Sequence, residues 1–292
     1  IAQGFADIVL TGGYEHMTRI PMGGYTSDRG LISPNLSLFT DPAYLHWDMM
    51  TVLNMGLTAE KLFSQTDFTK EDMDKWGVRS HQLAAKAQAE GFFDDEILPI
   101  DAVQDDGSVL RVDRDLAVRQ DATVGGMKDL KPAFKKDGVI TPGNSSPLNA
   151  AAASMMLMSK ETARKKGIKP LATIRSIGFA GVDPTIMGAG PVPASRMALD
   201  RAGLEASDID FWEINEAFCI VALNCIQELG IDPDRVNVMG GATAIGHALG
   251  ATGIRLTGTL GRILQQKDGR YGCANACVGG GQGVAIVIEK DE

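Results

Sequence analysis

One imidazole and one thiol in the last quarter of the chain stand in glycine-rich settings. His247 lies in Gly240-Gly-Ala-Thr-Ala-Ile-Gly-His-Ala-Leu-Gly-Ala-Thr-Gly253, and Cys277 in Cys273-Ala-Asn-Ala-Cys-Val-Gly-Gly-Gly-Gln-Gly283. Glycines let backbone approach a bound group closely. An imidazole and a thiol presented this way form an acid–base pair for carbonyl chemistry. His247 precedes a helix expected near Ala251, and the partial positive charge at a helix amino end disfavours a protonated ring. A neutral ring can act as a base or donate to a developing oxyanion; the plainer alternative is a buried histidine that satisfies a turn. Cys277 precedes three glycines whose amides can reach a carbonyl oxygen. Its thiol can shuttle protons or attack, or it can be a small apolar residue at a strand end. Asn215 closes a predicted strand at the carboxyl edge of a sheet, where open α/β sheets bind ligands. Its amide can hold a water or cap the next helix, and Glu216 can do the same or form a structural ion pair. The C-x3-C spacing of Cys273 and Cys277 lacks the second pair that zinc needs, so no metal is expected. No phosphate loop or dinucleotide fingerprint is present.

These residues need elements to hold them. After Pro170 strands and helices alternate: strands over Leu171 to Ile177, Phe211 to Ile214, Val236 to Val238 and Gly283 to Glu289, and helices over Pro193 to Ala202, Ala217 to Leu229 and Thr252 to Gln265. That alternation predicts a layered α/β sheet with helices on its faces. Earlier, Asp7 to Leu10 reads as a strand, residues 14–54 as a loop excursion, and Leu57 to Phe63 as a helix. Thr69 to Gly91 reads as a longer helix capped by Thr69. Glu96 to Ile100 and Val109 to Val112 read as strands around an Asp-Asp-Gly turn. Ala150 to Met158 is expected to be buried on both sides. Arg164 to Pro170 reads as a linker.

The whole chain bounds the partners. Its 292 residues carry 44% apolar and 22% charged side chains and a net charge of -9. That balance fits a globular protein and excludes the basic face of a nucleic-acid binder. No apolar run approaches the ~20 residues of a membrane span. Four cysteines in this length point to a reducing compartment rather than a disulfide scaffold. Ile1 to Asp7 reads as the tail of a helix entering a strand, so the chain is expected to be a fragment.

Gly12-Gly-Tyr-Glu-His-Met17, Asn215-Glu-Ala-Phe218, Gly246-His247 in its glycine frame and Cys277-Val-Gly-Gly-Gly-Gln-Gly283 together resemble the thiolase family, in the family's order and from the first residue to the last. Glu15-His16-Met17 and Gly188 to Ser195 are similar to the degradative 3-ketoacyl-CoA thiolases of fatty-acid β-oxidation. The resemblance implies two similar α/β halves. Residues 1–168 are the remainder of an incomplete N-terminal half with a loop domain inserted over about 14–140, and residues 169–292 are the C-terminal half. It implies cleavage of 3-ketoacyl-CoA by coenzyme A, the co-substrate, with no permanently bound cofactor. His247 becomes the activating base and an oxyanion donor, Cys277 the general acid/base, Asn215 the holder of a water, and the Gly279 amide a donor to a second oxyanion hole. Ser146 is implied to touch the pantetheine, Arg119 the phosphates, and Met55 the acyl pocket. The family's nucleophilic cysteine falls before Ile1, so the chain itself is expected not to turn over. Ala248 stands where proline is usual, and Asn149-Ala150-Ala151 where Asn-Asp-Gly is usual. A homodimer or dimer of dimers, a hydratase/dehydrogenase partner subunit, and a cytoplasmic setting (mitochondrial or peroxisomal in a eukaryote) follow from the same resemblance. The rival readings are a biosynthetic acetoacetyl-CoA thiolase and a non-catalytic acyl-CoA-binding scaffold.

Overall fold

The computed structural model describes residues 1–17, 26–27, 30–31 and 37–291; much of the loop excursion read over 14–54 lies outside the described residues. In chain order the strands are β1 (Ile8–His16), β2 (Thr26–Ser27), β3 (Gly30–Leu31), β4 (Ile100–Val103), β5 (Val109–Val112), β6 (Ala150–Met158), β7 (Thr173–Gly181), β8 (Phe211–Ile214), β9 (Tyr271–Val278) and β10 (Gln282–Glu289). The helices are α1 (Ser37–Thr40), α2 (Met49–Val52), α3 (Met55–Phe63), α4 (Lys70–Ala89), α5 (Val124–Lys128), α6 (Lys160–Lys166), α7 (Pro191–Ala202), α8 (Cys219–Leu229), α9 (Ala242–Ile245) and α10 (Leu249–Gln266).

The C-terminal part is a four-stranded sheet in the order β7-β10-β9-β8. β8 runs parallel to β9, and the other pairs are antiparallel. Side-chain alternation sorts its two faces. Trp212, Ile214, Cys273, Cys277, Ala285 and Val287 enter one buried cluster with residues of α3, α7 and α8. Ala274 and Ile288 enter another with Leu256, Leu260 and Leu264 of α10. Gly203 and Gly230 end α7 and α8 in left-handed conformation, where a β-carbon would strain the chain. Thr69 and Asp72 form the capping box that starts α4.

The N-terminal part is thinner. β1 and β6 form an antiparallel pair of their own, with α10 packed against both. Several expectations fail here or nearby. Ile1 to Asp7 holds turns and bends but no helix, and β1 runs on to His16 where a loop is expected from residue 14. Ala150 to Met158 is a strand, yet most of it is exposed rather than buried on both sides. Glu96 to Ile100 is not a strand before Ile100, because the amides of Glu96 and Ile97 both turn back onto the Phe93 carbonyl. The stretch read as a linker begins inside a helix: Ser159 caps α6 and Gly167 closes it. Val236 to Val238 makes only a single bridge to Trp212. Asn237 turns away with φ 47, and its side-chain amide pairs with both the N–H and the carbonyl of Ile214 in place of a strand.

Candidate active site

The carboxyl ends of β8 and β9 lie side by side, because Ile214 is in register with Asn275 and the Asn215 backbone N–H donates to the Asn275 backbone carbonyl at 2.9 Å. Asn215 and Cys277 therefore emerge at one sheet edge. α10 runs antiparallel to these strands. Near its far end Leu260 packs on Gly272 and Leu264 on Gly269, at the amino ends of β9 and β8. Its amino end, with His247 just before it, thus returns to the edge that carries Asn215 and Cys277. Among the described residues no hydrogen bond joins His247 to Cys277.

Glu216 ties the turns together. Its buried carboxylate accepts from the Trp76 indole at 2.8 Å, the Ser80 hydroxyl at 2.8 Å, the Asn237 amide at 2.7 Å and the Thr243 backbone N–H at 3.0 Å. Four donors fill the acceptor sites of its two oxygens. Of the roles open to Glu216, the structure selects a structural one, although its partners are hydrogen-bond donors rather than a paired cation. The loop before β6 joins from the side. The Ser146 N–H and hydroxyl both reach the Ala217 carbonyl, at 3.1 and 3.2 Å. Asn149 packs against Gly246, where a β-carbon would lie 2.2 Å from its amide nitrogen. Met55 covers Gly279, with its sulfur 3.6 Å from where a β-carbon would be.

The electrostatics suit proton transfer. Burial, with the nearby Arg255 charge second, holds the His247 ring down to about 4, so it is neutral at pH 7. The expected neutrality thus has burial, not the helix end, as its main cause. Its Nδ1 lies 2.7 Å from the Thr252 hydroxyl. Cys277 takes the strand-end position that the plainer of its two readings allows. It lies in β9, one residue before its end, and burial pushes its thiol up to about 12. The turn proper is Gly279 to Gly281, in which Gly280 and Gly281 have φ of 84 and 80. The Gly279 N–H donates to no group among the described residues. Asn215 is fully buried, and neither atom of its amide has a hydrogen-bond partner. Such a group needs a water or ligand to satisfy it.

The segment of Arg119 lies against α4 and α9, where its neighbour Val118 packs on Ala84, Ala244 and Ile245. Arg119 is exposed, and its backbone N–H donates to His81 of α4 at 3.1 Å. A cleft of about 580 Å³ runs between α10 and β6, lined by Asn149, Gly246, Ala248, Thr252 and Arg255 among others, but by neither His247 nor Cys277. Glu216 and Thr252 are the contributors that motif reading missed or left undecided. For Thr252 the only local signal is a hydroxyl in the first helical turn after the histidine. Among the described residues no helix is long and apolar enough to cross a membrane.

Residues 1–161 match the family model described as the thiolase N-terminal domain, and residues 168–290 the thiolase C-terminal domain. A 3-ketoacyl-CoA thiolase of Marinobacter nauticus is 42% identical over 295 residues, covering 99% of this chain and 72% of the relative. An acetyl-CoA acetyltransferase of Cupriavidus necator is 42% identical over 297 residues, covering 99% and 74%. The crystal structure of human mitochondrial 3-ketoacyl-CoA thiolase in complex with CoA superposes with a TM-score of 0.84 at 36% identity, covering 98% of this chain and 71% of that one.

Proposed function

The chain belongs to the thiolase family of acyltransferases, and we propose that it serves the degradative direction, cleaving 3-ketoacyl-CoA with coenzyme A to acetyl-CoA and a shortened acyl-CoA. The observation that supports acyl transfer, in either direction, is the approach of the turns carrying His247, Asn215, Cys277 and the Gly279 N–H to one sheet edge. His247, neutral at pH 7, takes the proton of an attacking thiol and as imidazolium donates to the thioester oxyanion. Asn215 orients a water toward an oxyanion, and the Gly279 N–H serves the other. Each donor of this kind is worth ~2.7–4 kcal/mol of transition-state stabilisation. Cys277, whose thiol is pushed up to about 12, keeps its proton near neutrality. It exchanges that proton with the strongly basic carbon of the acetyl-CoA enolate. Ser146 contacts the pantetheine, Met55 lines the acyl pocket, and Arg119 meets the phosphates. Coenzyme A is the co-substrate, supported by the CoA complex of the similar human enzyme.

Acyl transfer also requires an activated thiolate. Burial pushes Cys219 and Cys225 well above the ordinary thiol range, and Cys273 and Cys277 to about 12. None of the four is poised as the attacking thiolate, and the proposal for this chain by itself is binding of acyl-CoA without turnover. Thiolysis of acetoacetyl-CoA by the purified chain tests the point: normal turnover would overturn the assigned roles. The biosynthetic reading stands beside the degradative one because relatives with both kinds of name are 42% identical. Calorimetric affinities for acetoacetyl-CoA and longer 3-ketoacyl-CoA separate them. Tighter binding of the longer chains supports degradation, and preference for acetoacetyl-CoA supports synthesis. A homo-oligomer, a hydratase/dehydrogenase partner subunit and a cytoplasmic setting complete the proposal.

A further inference from the structure

Thr252 is buried in the first turn of α10. Its Oγ1 lies 2.7 Å from Nδ1 of His247 and 2.7 Å from the Ala248 carbonyl oxygen. A threonine hydroxyl has one proton to give. Were it given to Nδ1, the hydroxyl oxygen and the Ala248 carbonyl oxygen would face each other with no proton between two acceptors. Given to Ala248, in the back-bond to residue i−4 that helical threonines adopt, it leaves Oγ1 with lone pairs alone. Nδ1 must then bring the second proton. Only this arrangement supplies both short contacts with a hydrogen.

We propose that Thr252 is a positioning residue that holds His247 as its Nδ1–H tautomer and leaves Nε2 bare. The hydroxyl is well suited to the task. It sits on a helix, and a β-branched side chain has few rotamers to lose. The tautomer also fixes an order of events: Nε2 must first accept a proton before it can donate to an oxyanion. That consequence rests on the acyl-transfer reading of the site. The tautomer assignment does not.

The test is a long-range proton–nitrogen correlation spectrum of the full chain labelled with 15N-histidine, at pH 7. The chain has four histidines, and the His247 signals are assigned by their loss in His247→Gln. The expected result is Nδ1 in the protonated range and Nε2 in the unprotonated range, with the Nδ1–H form in about ten-fold excess, the worth of one hydrogen bond. Thr252→Val keeps the shape and removes the hydroxyl; His247 should then move toward the Nε2–H form that free histidine favours. Thr252→Ser should restore the Nδ1–H form. An Nε2–H wild type overturns the proposal, and so does a Val variant that keeps the Nδ1–H form. Should the Val variant not fold, the Ser variant decides with the wild type, since an Nε2–H ring in either is fatal. No turnover is read, so failure of the acyl-transfer reading leaves these spectra unchanged and the two can fail separately.

Discussion

The four-stranded sheet of β7, β10, β9 and β8 and the two-stranded pair of β1 and β6 both pack on α10, but they live under different physics. Strands β8 to β10 of the first bury side chains on both faces, with Trp212, Ile214, Cys273 and Val287 on one face and Ala274 and Ile288 on the other at or near zero exposure, while only its edge strand β7 leaves a large apolar side chain, Phe179, mostly exposed. The second leaves Leu10 at 69% and Tyr14 at 82% exposure. A two-stranded sheet has little stability of its own, so β1 and β6 depend on α10, whereas the larger sheet supports α10. The candidate site sits on the larger sheet, where its turns inherit a rigid frame.

The sharpest test of this contrast is Glu216→Ala. It orphans four buried donors, from Trp76, Ser80, Asn237 and Thr243, and leaves a void. A loss of about 3–5 kcal/mol in denaturant unfolding is expected, the scale for breaking a buried, fully paired group. Leu10→Thr and Tyr14→Ser, on exposed faces of the pair, should change stability by no more than about 0.5 kcal/mol. Similar costs at the two places would erase the distinction.

A second test addresses the joint between the regions. A β-carbon on Gly13 would lie 1.8 Å from the Gly250 carbonyl oxygen, and one on Gly250 would lie 2.3 Å from the Tyr14 carbonyl oxygen. β1 therefore meets the first turn of α10 backbone to backbone. Gly13→Ala must push the strand away, at a cost of about 1–3 kcal/mol for overpacking. The displacement should reach the His247 ring signals, three residues from Gly250. Unchanged His247 signals would show that the pair of strands does not support the site.

What could be read from sequence follows the same divide. His247, Asn215 and the Gly279 turn were legible because glycine and polar residues punctuate well-patterned elements, and β8 was located to the residue. β9 was missed because Tyr271–Val278 is mostly glycine, alanine, cysteine and asparagine, which carry no β-branched signature. β6 was misread because an apolar composition does not reveal whether a covering layer is present. The role of Glu216 was illegible in principle: its donors come from residues 76, 80, 237 and 243, and only folding makes them neighbours.

Acid provides a third test. His247 and His81 are both held below the ordinary histidine value, mainly by burial, with Arg255 and Arg119 respectively adding to it. A depressed histidine makes the folded state prefer the neutral ring, while the unfolded chain takes up protons near pH 6.5. For both, stability is then fully present above about pH 6.5 and lost as pH falls through the folded-state value, which for His247 is about 4. For His247 the ceiling is about 3 kcal/mol, which partial exposure of the ring reduces to about 1–2 kcal/mol. His247→Gln should flatten that part of the acid limb, and His81→Gln a separate part. An acid limb that neither variant alters would remove burial as the cause of the neutral imidazole.

The smallest expected effect concerns the residue next to the histidine. Ala248 has φ -71, inside the narrow range that a proline ring imposes. Its N–H donates to no group among the described residues, so proline would remove no hydrogen bond. Ala248→Pro should therefore stabilise the chain by about 0.4–1 kcal/mol, by restricting the unfolded state. Proline also biases the preceding residue toward extended backbone, which would stiffen the His247 turn. Thermal unfolding together with His247 ring spectra reads both effects. A rise in midpoint with an unchanged tautomer would place the turn, like the sheet beneath it, among the parts already held in their working geometry. A fall would mean that the cleft beside α10 and β6, which Ala248 lines, has no room for a ring.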